Sequence, residues 1–173
     1  MLNSLITNKT RLKLLLKFFL NSETTSYLRN LESEFGESTN AIRIELNRLE
    51  AAKLLTSNFQ GNKKYFRANV AHPLYNELNS ILRKTVGLDK IVQEIAENIG
   101  NLYEAYLIGD LATGKESKVI DLLLIGNSVD NQYVASLTQD IEKLVTRKIR
   151  FLILENQEKD SFLQKHTALL LWK

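Results

Sequence analysis

ESTNAIRIELNRLEAAKLLTSNFQGNKKYFRA, residues 37–68, decides how the first half of the chain folds. Ser38 is a hydroxyl residue placed to cap a helix, because its side-chain oxygen can accept from the unpaired N–H groups of the first turn. Ile42, Leu46 and Leu49 follow at i, i+4 and i+7, one apolar face of a helix. Two short β segments come next, Leu54 to Phe59 and Lys64 to Ala68. Gln60-Gly61-Asn62-Lys63 joins them, with Gly and Asn able to take the positive φ of a tight hairpin.

Upstream, Leu12, Leu15, Leu16 and Phe19 define the apolar face of a helix from about Asn8 to Leu20. Asn21, Ser22 and Glu23 break it. Thr25 or Ser26 can cap a second helix carrying Leu28, Leu31 and Phe35, and Gly36 closes that helix as a left-handed cap. Only a few residues separate it from the helix that Ser38 opens. Three helices with so short a turn, followed by a hairpin, spell a winged helix-turn-helix. Downstream of Pro73, Leu74, Leu78, Ile81 and Leu82 mark one helical stretch. Leu88, Ile91, Val92, Ile95 and Ile99 mark another, with Gly87 between them and Gly100 after the second. The expected domains are residues 1–87 and residues 88–173, with the helices near the boundary as a linker.

From Leu102 the pattern changes. Tyr103 to Ile108 and Val119 to Ile125 are strand-like, with a glycine-bearing loop between them. Asp130 to Thr146 is helical, Lys148 to Leu154 is a third strand, and Glu158 to Lys165 a last helix. Leu169 to Leu171 adds an edge strand. The predicted fold class is α+β: an N-terminal winged helix-turn-helix, a helical linker and a small C-terminal α/β domain.

The chain has 173 residues, 44% hydrophobic and 25% charged, which is enough apolar material for one large or two small cores. It has no cysteine, which excludes disulfides and thiolate metal sites. No apolar run approaches the roughly 18 to 20 residues that span a bilayer. MLNSLITNKTRLKLLLKFFL is interrupted by Arg11, Lys13 and Lys17, so it reads as an amphipathic helix rather than a secretory signal. A cytoplasmic setting without membrane attachment is expected. Residues 1–87 carry 13 Lys and Arg against 7 Asp and Glu, whereas residues 88–173 carry 10 against 13. A basic first half suggests that this half alone meets a polyanion.

In a helix-turn-helix the second helix enters the major groove. With Ile42, Leu46 and Leu49 inward, its outer face carries Thr39, Asn40, Arg43 and Asn47 beside the capping Ser38. Arg suits guanine edges, Asn adenine, and Thr a phosphate or a thymine methyl. Arg48, Lys63 and Lys64 suit phosphates, the two lysines from the hairpin. On these residues double-stranded DNA is the expected partner.

ESTNAIRIELNRLEAAKLL, residues 37–55, resembles the recognition-helix region of ArsR-type winged-helix repressors. NKKYFRANVAHPLYNELNSILRKT is similar to the hairpin and following helix of the same group. The resemblance covers residues 8–86 and implies DNA binding as a homodimer. Metal-sensing members use cysteine and histidine clusters. This chain has only His72 and His166, so no metal and no cofactor are expected.

YLIGDLATGKESKVIDLLLIG, residues 106–126, resembles the opening of the minimal nucleotidyltransferase fold. That family pairs a Gly-Ser turn with Asp-x-Asp on the next strand. Carboxylates one residue apart project to the same side of a strand and can share divalent cations, which activate the attacking oxygen and neutralise pyrophosphate. Here Gly109 is kept, Asp110 replaces the serine, and Val119 stands where the first carboxylate belongs, leaving Asp121. The third strand carries Lys148 and Arg150 where another acid is common. Gly109, Asp110 and Asp121 are candidate pocket residues for a small-molecule or nucleotide effector. The alternative for Asp121 is an ion pair with Lys118 or Arg150.

The expected function is a sequence-specific transcriptional regulator whose second domain is catalytically inactive and serves as sensor or scaffold. The alternatives are an active nucleotidyltransferase acting on a small molecule, a protein or tRNA, and a protein-interaction module that does not bind DNA.

Overall fold

The computed structural model describes residues 2–173. The chain is mixed α+β with two separate sheets and divides into two compact units. One unit runs to Leu82 and takes in Gly114–Glu116; the other comprises Arg83–Thr113 and Ser117–Lys173.

The first unit contains α1 (Leu2–Leu5), α2 (Lys9–Phe19), β1 (Ser26–Tyr27), α3 (Leu28–Phe35), α4 (Thr39–Ala51), β2 (Leu55–Gln60) and β3 (Lys63–Ala68). Asn8 caps α2 by accepting from the Arg11 N–H at 2.9 Å, and Ser38 caps α4 by accepting from the Ala41 N–H at 3.2 Å. Gly36 ends α3 at φ +63, a conformation that costs a side-chain-bearing residue about 1 kcal/mol or more. Leu14, Phe18, Phe19, Leu31, Ile42 and Leu46 form the core, each 2% exposed or less. Every residue from Leu14 to Leu20 is buried, so the second half of α2 is enclosed on all sides rather than along one stripe. That includes Lys17, whose ammonium bonds Glu34 at 2.9 Å. Lys13 likewise bonds Glu37 at 2.9 Å, so these two lysines of α2 are matched by acids around α3.

The sheet of this unit differs from a bare hairpin. Its order is β1-β3-β2, all antiparallel, with Ser26 opposite Phe66 and Tyr27 opposite Tyr65. Ser26 is one of the two helix caps the sequence offers, with Thr25. Instead it pairs in the sheet, and Tyr27, in extended conformation, is the residue from which α3 starts. The buried Ser26 and the Tyr27–Tyr65 edge contact, with ring centroids 5.1 Å apart, favour the strand.

Helix α5 (Tyr75–Val86) follows, and then α6 (Leu88–Asn98), β4 (Leu102–Ile108), α7 (Gly109–Ala112), β5 (Val119–Gly126), α8 (Asn131–Glu142), β6 (Lys148–Leu154), α9 (Asn156–Leu163) and β7 (Leu169–Trp172). The second sheet has the order β6-β5-β4-β7. β4 runs antiparallel to both β5 and β7, while β5 and β6 are parallel. Leu122, Leu123, Leu124 and Ile125 are all buried, so central β5 is covered on both faces, which explains its unbroken apolar run. Burying each such side chain contributes about 1.5–3 kcal/mol. Helix α8 stops at Glu142 rather than continuing to Thr146. The Glu142 carboxylate there accepts the Ile149 N–H at 2.7 Å and the Lys148 ammonium at 2.7 Å, tying the helix end to the start of β6. Helix α9 begins earlier than the apolar pattern indicates, at Asn156, because Glu155 and Glu158 form a capping box.

Candidate functional site

The site in the second unit is built where β4 ends. Gly109 follows Ile108 at φ +71 and turns the chain into α7. The ladder sets Ile108 opposite Asp121 on β5, so the turn lies against the Asp121 carboxylate. A Cβ on residue 109 would come within 2.6 Å of Asp121 Oδ2. Glycine is thus needed twice, for the positive φ and for the space. Asp110 occupies the first turn of α7, where its backbone carbonyl accepts from the Thr113 hydroxyl at 2.8 Å.

The parallel ladder between β5 and β6 places Arg150 directly beside Asp121, and Lys148 beside Val119. Arg150 Nε donates to Asp121 Oδ1 at 2.7 Å and its Nη2 to Oδ2 at 3.0 Å, a bidentate pair. The carboxylate is 17% exposed and the guanidinium side chain 71%. Hydrogen bonding to Asp121, and more weakly the negative charges of Asp121 and Asp110, hold the Arg150 guanidinium above its ordinary pKa. Of the two partners expected for Asp121, the structure selects Arg150.

Gly109, Asp110 and Asp121 line one open cleft of 550 Å³ with Arg150, Phe162, Lys165 and His166. The His166 ring stacks on Phe162, centroids 4.1 Å apart, and its Nδ1 lies 3.0 Å from the Phe162 carbonyl oxygen. A carbonyl only accepts, so Nδ1 carries the proton of the neutral ring and Nε2 keeps its lone pair. Lys165 and His166 were not singled out in the sequence. Their only signal there was two basic residues at the end of the last predicted helix.

Glu104 of β4 is buried and collects three partners. The Tyr106 hydroxyl donates to it at 2.6 Å, and the Lys159 and Lys173 ammonium groups lie 3.2 Å away. These bonds, led by that of Tyr106, hold the Glu104 carboxyl below its usual range, while burial and Glu104 push the Tyr106 phenol up to about 12. Lys159 belongs to α9, so Glu104 fixes the helix whose end carries Phe162 and the cleft's basic residues.

The nucleotidyltransferase resemblance implies a pair of divalent cations, and the residues present do not fit such a centre. Both Asp121 oxygens accept from Arg150, and Val119 supplies no ligand. Among the described residues no three acid or histidine side chains gather as a metal site.

In the first unit, Asn40, Arg43, Asn47 and Arg48 are exposed on α4, and Thr39 is half-buried. Arg43, Asn47, Lys63 and Lys64 line a groove of 710 Å³ with Tyr27 and Phe66. The cations expected on phosphates are engaged within the unit. Arg48 donates to Glu45 at 2.7 Å, Lys64 to Glu50 at 2.7 Å, and Lys63 sits 4.5 Å from the centroid of the Tyr27 ring. Ser38 spends its hydroxyl on the helix cap. Glu45, which the sequence reading passed over, is the hub: 2% exposed, it accepts from Asn8 at 3.2 Å and from Arg11 at 2.7 and 3.3 Å as well as from Arg48.

No family model matches the chain, and a search of curated proteins returns no match. Solved structures do. A toxin–antitoxin structure with AMP-PNP is 20% identical, with 50% of this chain and 73% of that chain covered and a TM-score of 0.41. A candidate nucleotidyltransferase from Sulfolobus solfataricus is 25% identical over 52% of this chain and 81% of its own, with a TM-score of 0.37. AF1382 from Archaeoglobus fulgidus is 17% identical over 57% and 99%, with a TM-score of 0.38.

These findings correct two expectations. One of the solved structures is described as a candidate nucleotidyltransferase, and none of those reported is named as a DNA-binding regulator. The reading as a sequence-specific transcriptional regulator with an inactive second domain is therefore set aside, and with it the reading of the chain as no enzyme. The physical counterpart is the internal pairing of Arg48 and Lys64, which leaves those expected phosphate contacts already neutralised. The ArsR-type resemblance finds no support in the comparisons. No helix among the described residues is long and apolar enough to cross a membrane.

Proposed function

We propose that the second unit binds a nucleoside triphosphate in the cleft beside Gly109 and transfers its nucleotidyl group to an acceptor hydroxyl. The observation that carries this reading is the convergence of a glycine turn, Asp121 and three basic side chains, Arg150, Lys165 and His166, on one cleft. Phosphoryl chemistry consists largely of positioning and neutralising charge, and guanidinium, ammonium and imidazole groups suit both tasks. Gly109 allows close approach to the floor of the cleft, and the Phe162–His166 stack offers a flat surface to a base.

In the transfer, the acceptor oxygen bonds to the α-phosphorus, the bond to the β-phosphate oxygen breaks, and pyrophosphate leaves. The acceptor's proton needs a base, and His166 Nε2, with its lone pair, is suited to take it. We read the first unit as a winged helix, on the order of three helices and a hairpin.

The test is incubation of the full chain with α-phosphate-labelled nucleoside triphosphates, with and without magnesium, and with protein, RNA and small hydroxylic acceptors. Label transferred by the wild type and lost in Asp121→Ala and His166→Ala supports the reading. No transfer to any acceptor, with no nucleotide bound, refutes it.

A further inference from the structure

We infer that Arg150 takes the place of a divalent cation in this cleft, so that nucleotide phosphates are held by its guanidinium directly and without metal. The inference rests on the nucleotide-binding reading above and narrows it to one mode of binding.

Three observations support it. The first is occupancy. Asp121 is the one carboxylate on β5 facing the glycine turn, and both its oxygens accept from Arg150, at 2.7 and 3.0 Å. A cation bound there would have to displace the guanidinium from both Asp121 oxygens, and β5 offers it no second carboxylate, because Val119 stands two residues away on the same side of the strand. The second is register. Asp121 and Arg150 are paired residues of a parallel ladder, so neighbouring strands hold the positive group at a set place beside the turn. Lys148, two residues earlier on the same side of β6, is committed to Glu142 at 2.7 Å and does not compete. The third is the donor set that remains. Two of the fork's N–H groups serve Asp121; the others lie on a side chain that is 71% exposed at the cleft. Asp121 thus orients a planar fork whose free edge matches two phosphate oxygens. Lys165 lines the same cleft and adds positive charge to it.

The experiment is calorimetric titration of the full chain with ATP, once in excess EDTA and once in excess magnesium. Wild type, Arg150→Ala and Arg150→Lys are compared. The inference predicts binding in EDTA at least as tight as in magnesium. Arg150→Ala should weaken it by about 10-fold or more, and Arg150→Lys should recover only part, because an ammonium cannot make the planar two-point contact. Binding that requires magnesium overturns the inference while leaving the nucleotide cleft intact, as does tighter magnesium-dependent binding in Arg150→Ala, where Asp121 has been released. Absence of binding under both conditions overturns the inference together with the reading on which it rests. Because Arg150 is largely exposed, its variants keep the fold, and unchanged far-ultraviolet dichroism verifies this.

Discussion

Glu45→Gln is the sharpest probe of how the first unit holds together. The carboxylate is 2% exposed, yet its partners come from separate parts of the unit: Asn8 and Arg11 at the start of α2, and Arg48 one turn along α4. Glutamine keeps the volume and one oxygen but loses the charge, and its amide nitrogen meets donors where an acceptor is needed. A hydrogen bond to a charged group contributes about 1.5–3 kcal/mol, and several are weakened here. Arg11 and Arg48 are 39% and 62% exposed, so water takes over part of their solvation, which reduces the net loss to roughly 1–3 kcal/mol. Trp172 lies in the other unit and does not report the change. Hydrogen exchange of the α2 and α4 amides does, and each 1.4 kcal/mol accelerates it about tenfold. The sign with pH follows from the lowered Glu45 pKa, caused first by the Arg11 hydrogen bond. Its contribution is complete above the ordinary carboxyl value and is lost as pH falls through the lowered one. Wild type and variant should therefore differ most near neutrality and converge in acid. Exchange within threefold of wild type at neutral pH would refute the assignment of Glu45 as the hub.

Other outcomes follow from the same structure. Gly109→Ala places a methyl 2.6 Å from Asp121 Oδ2 at a positive φ, so it should cost about 1–2 kcal/mol from backbone strain alone, seen as a lower melting temperature, and should weaken ATP binding in calorimetry. Glu104→Gln should flatten the acid limb of stability. Because the Glu104 carboxyl titrates below its ordinary 4.5, the wild type gains from it above that value and loses the gain as pH falls, which acid titration followed by Trp172 fluorescence records. Leu124→Ala, at a fully buried position of β5, should destabilise the second unit by about 2–5 kcal/mol in urea melts followed by the same fluorescence, whereas Leu144→Ala, 58% exposed, should change little.

Local signals were legible in the chain, and long-range pairings were not. The periods of Ile42, Leu46 and Leu49, the Ser38 cap and the Gly36 stop were enough to place α3 and α4, since each acts within a few residues. The apolar run of β5 marked a strand, and its burial on both faces became visible only in the fold. Ser26–Tyr27 escaped notice because two residues carry no period; their strand exists only through Tyr65 and Phe66. Glu45 read as a polar helix position, and its role depends on Asn8 and Arg11, more than thirty residues upstream. In the candidate site, Gly109, Asp110 and Asp121 stood out by resemblance, and Arg150 was one of two cations considered for Asp121. The parallel register that decides between them is a tertiary fact. Lys165 and His166 join the cleft only because α9 folds back over the sheet beside β5. The expectation of DNA binding came from a helix-turn-helix pattern, a basic first half and a family resemblance, none of which shows that Arg48 and Lys64 have internal partners.

The most direct test of the central claim is to map ATP binding by amide and side-chain chemical shifts of the isotope-labelled full chain. The account predicts saturable changes centred on Gly109, Asp121, Arg150 and His166, with the groove of the first unit between Arg43 and Lys63 unaffected. Saturable shifts centred on that groove instead, or none at the cleft at millimolar ATP, would contradict it.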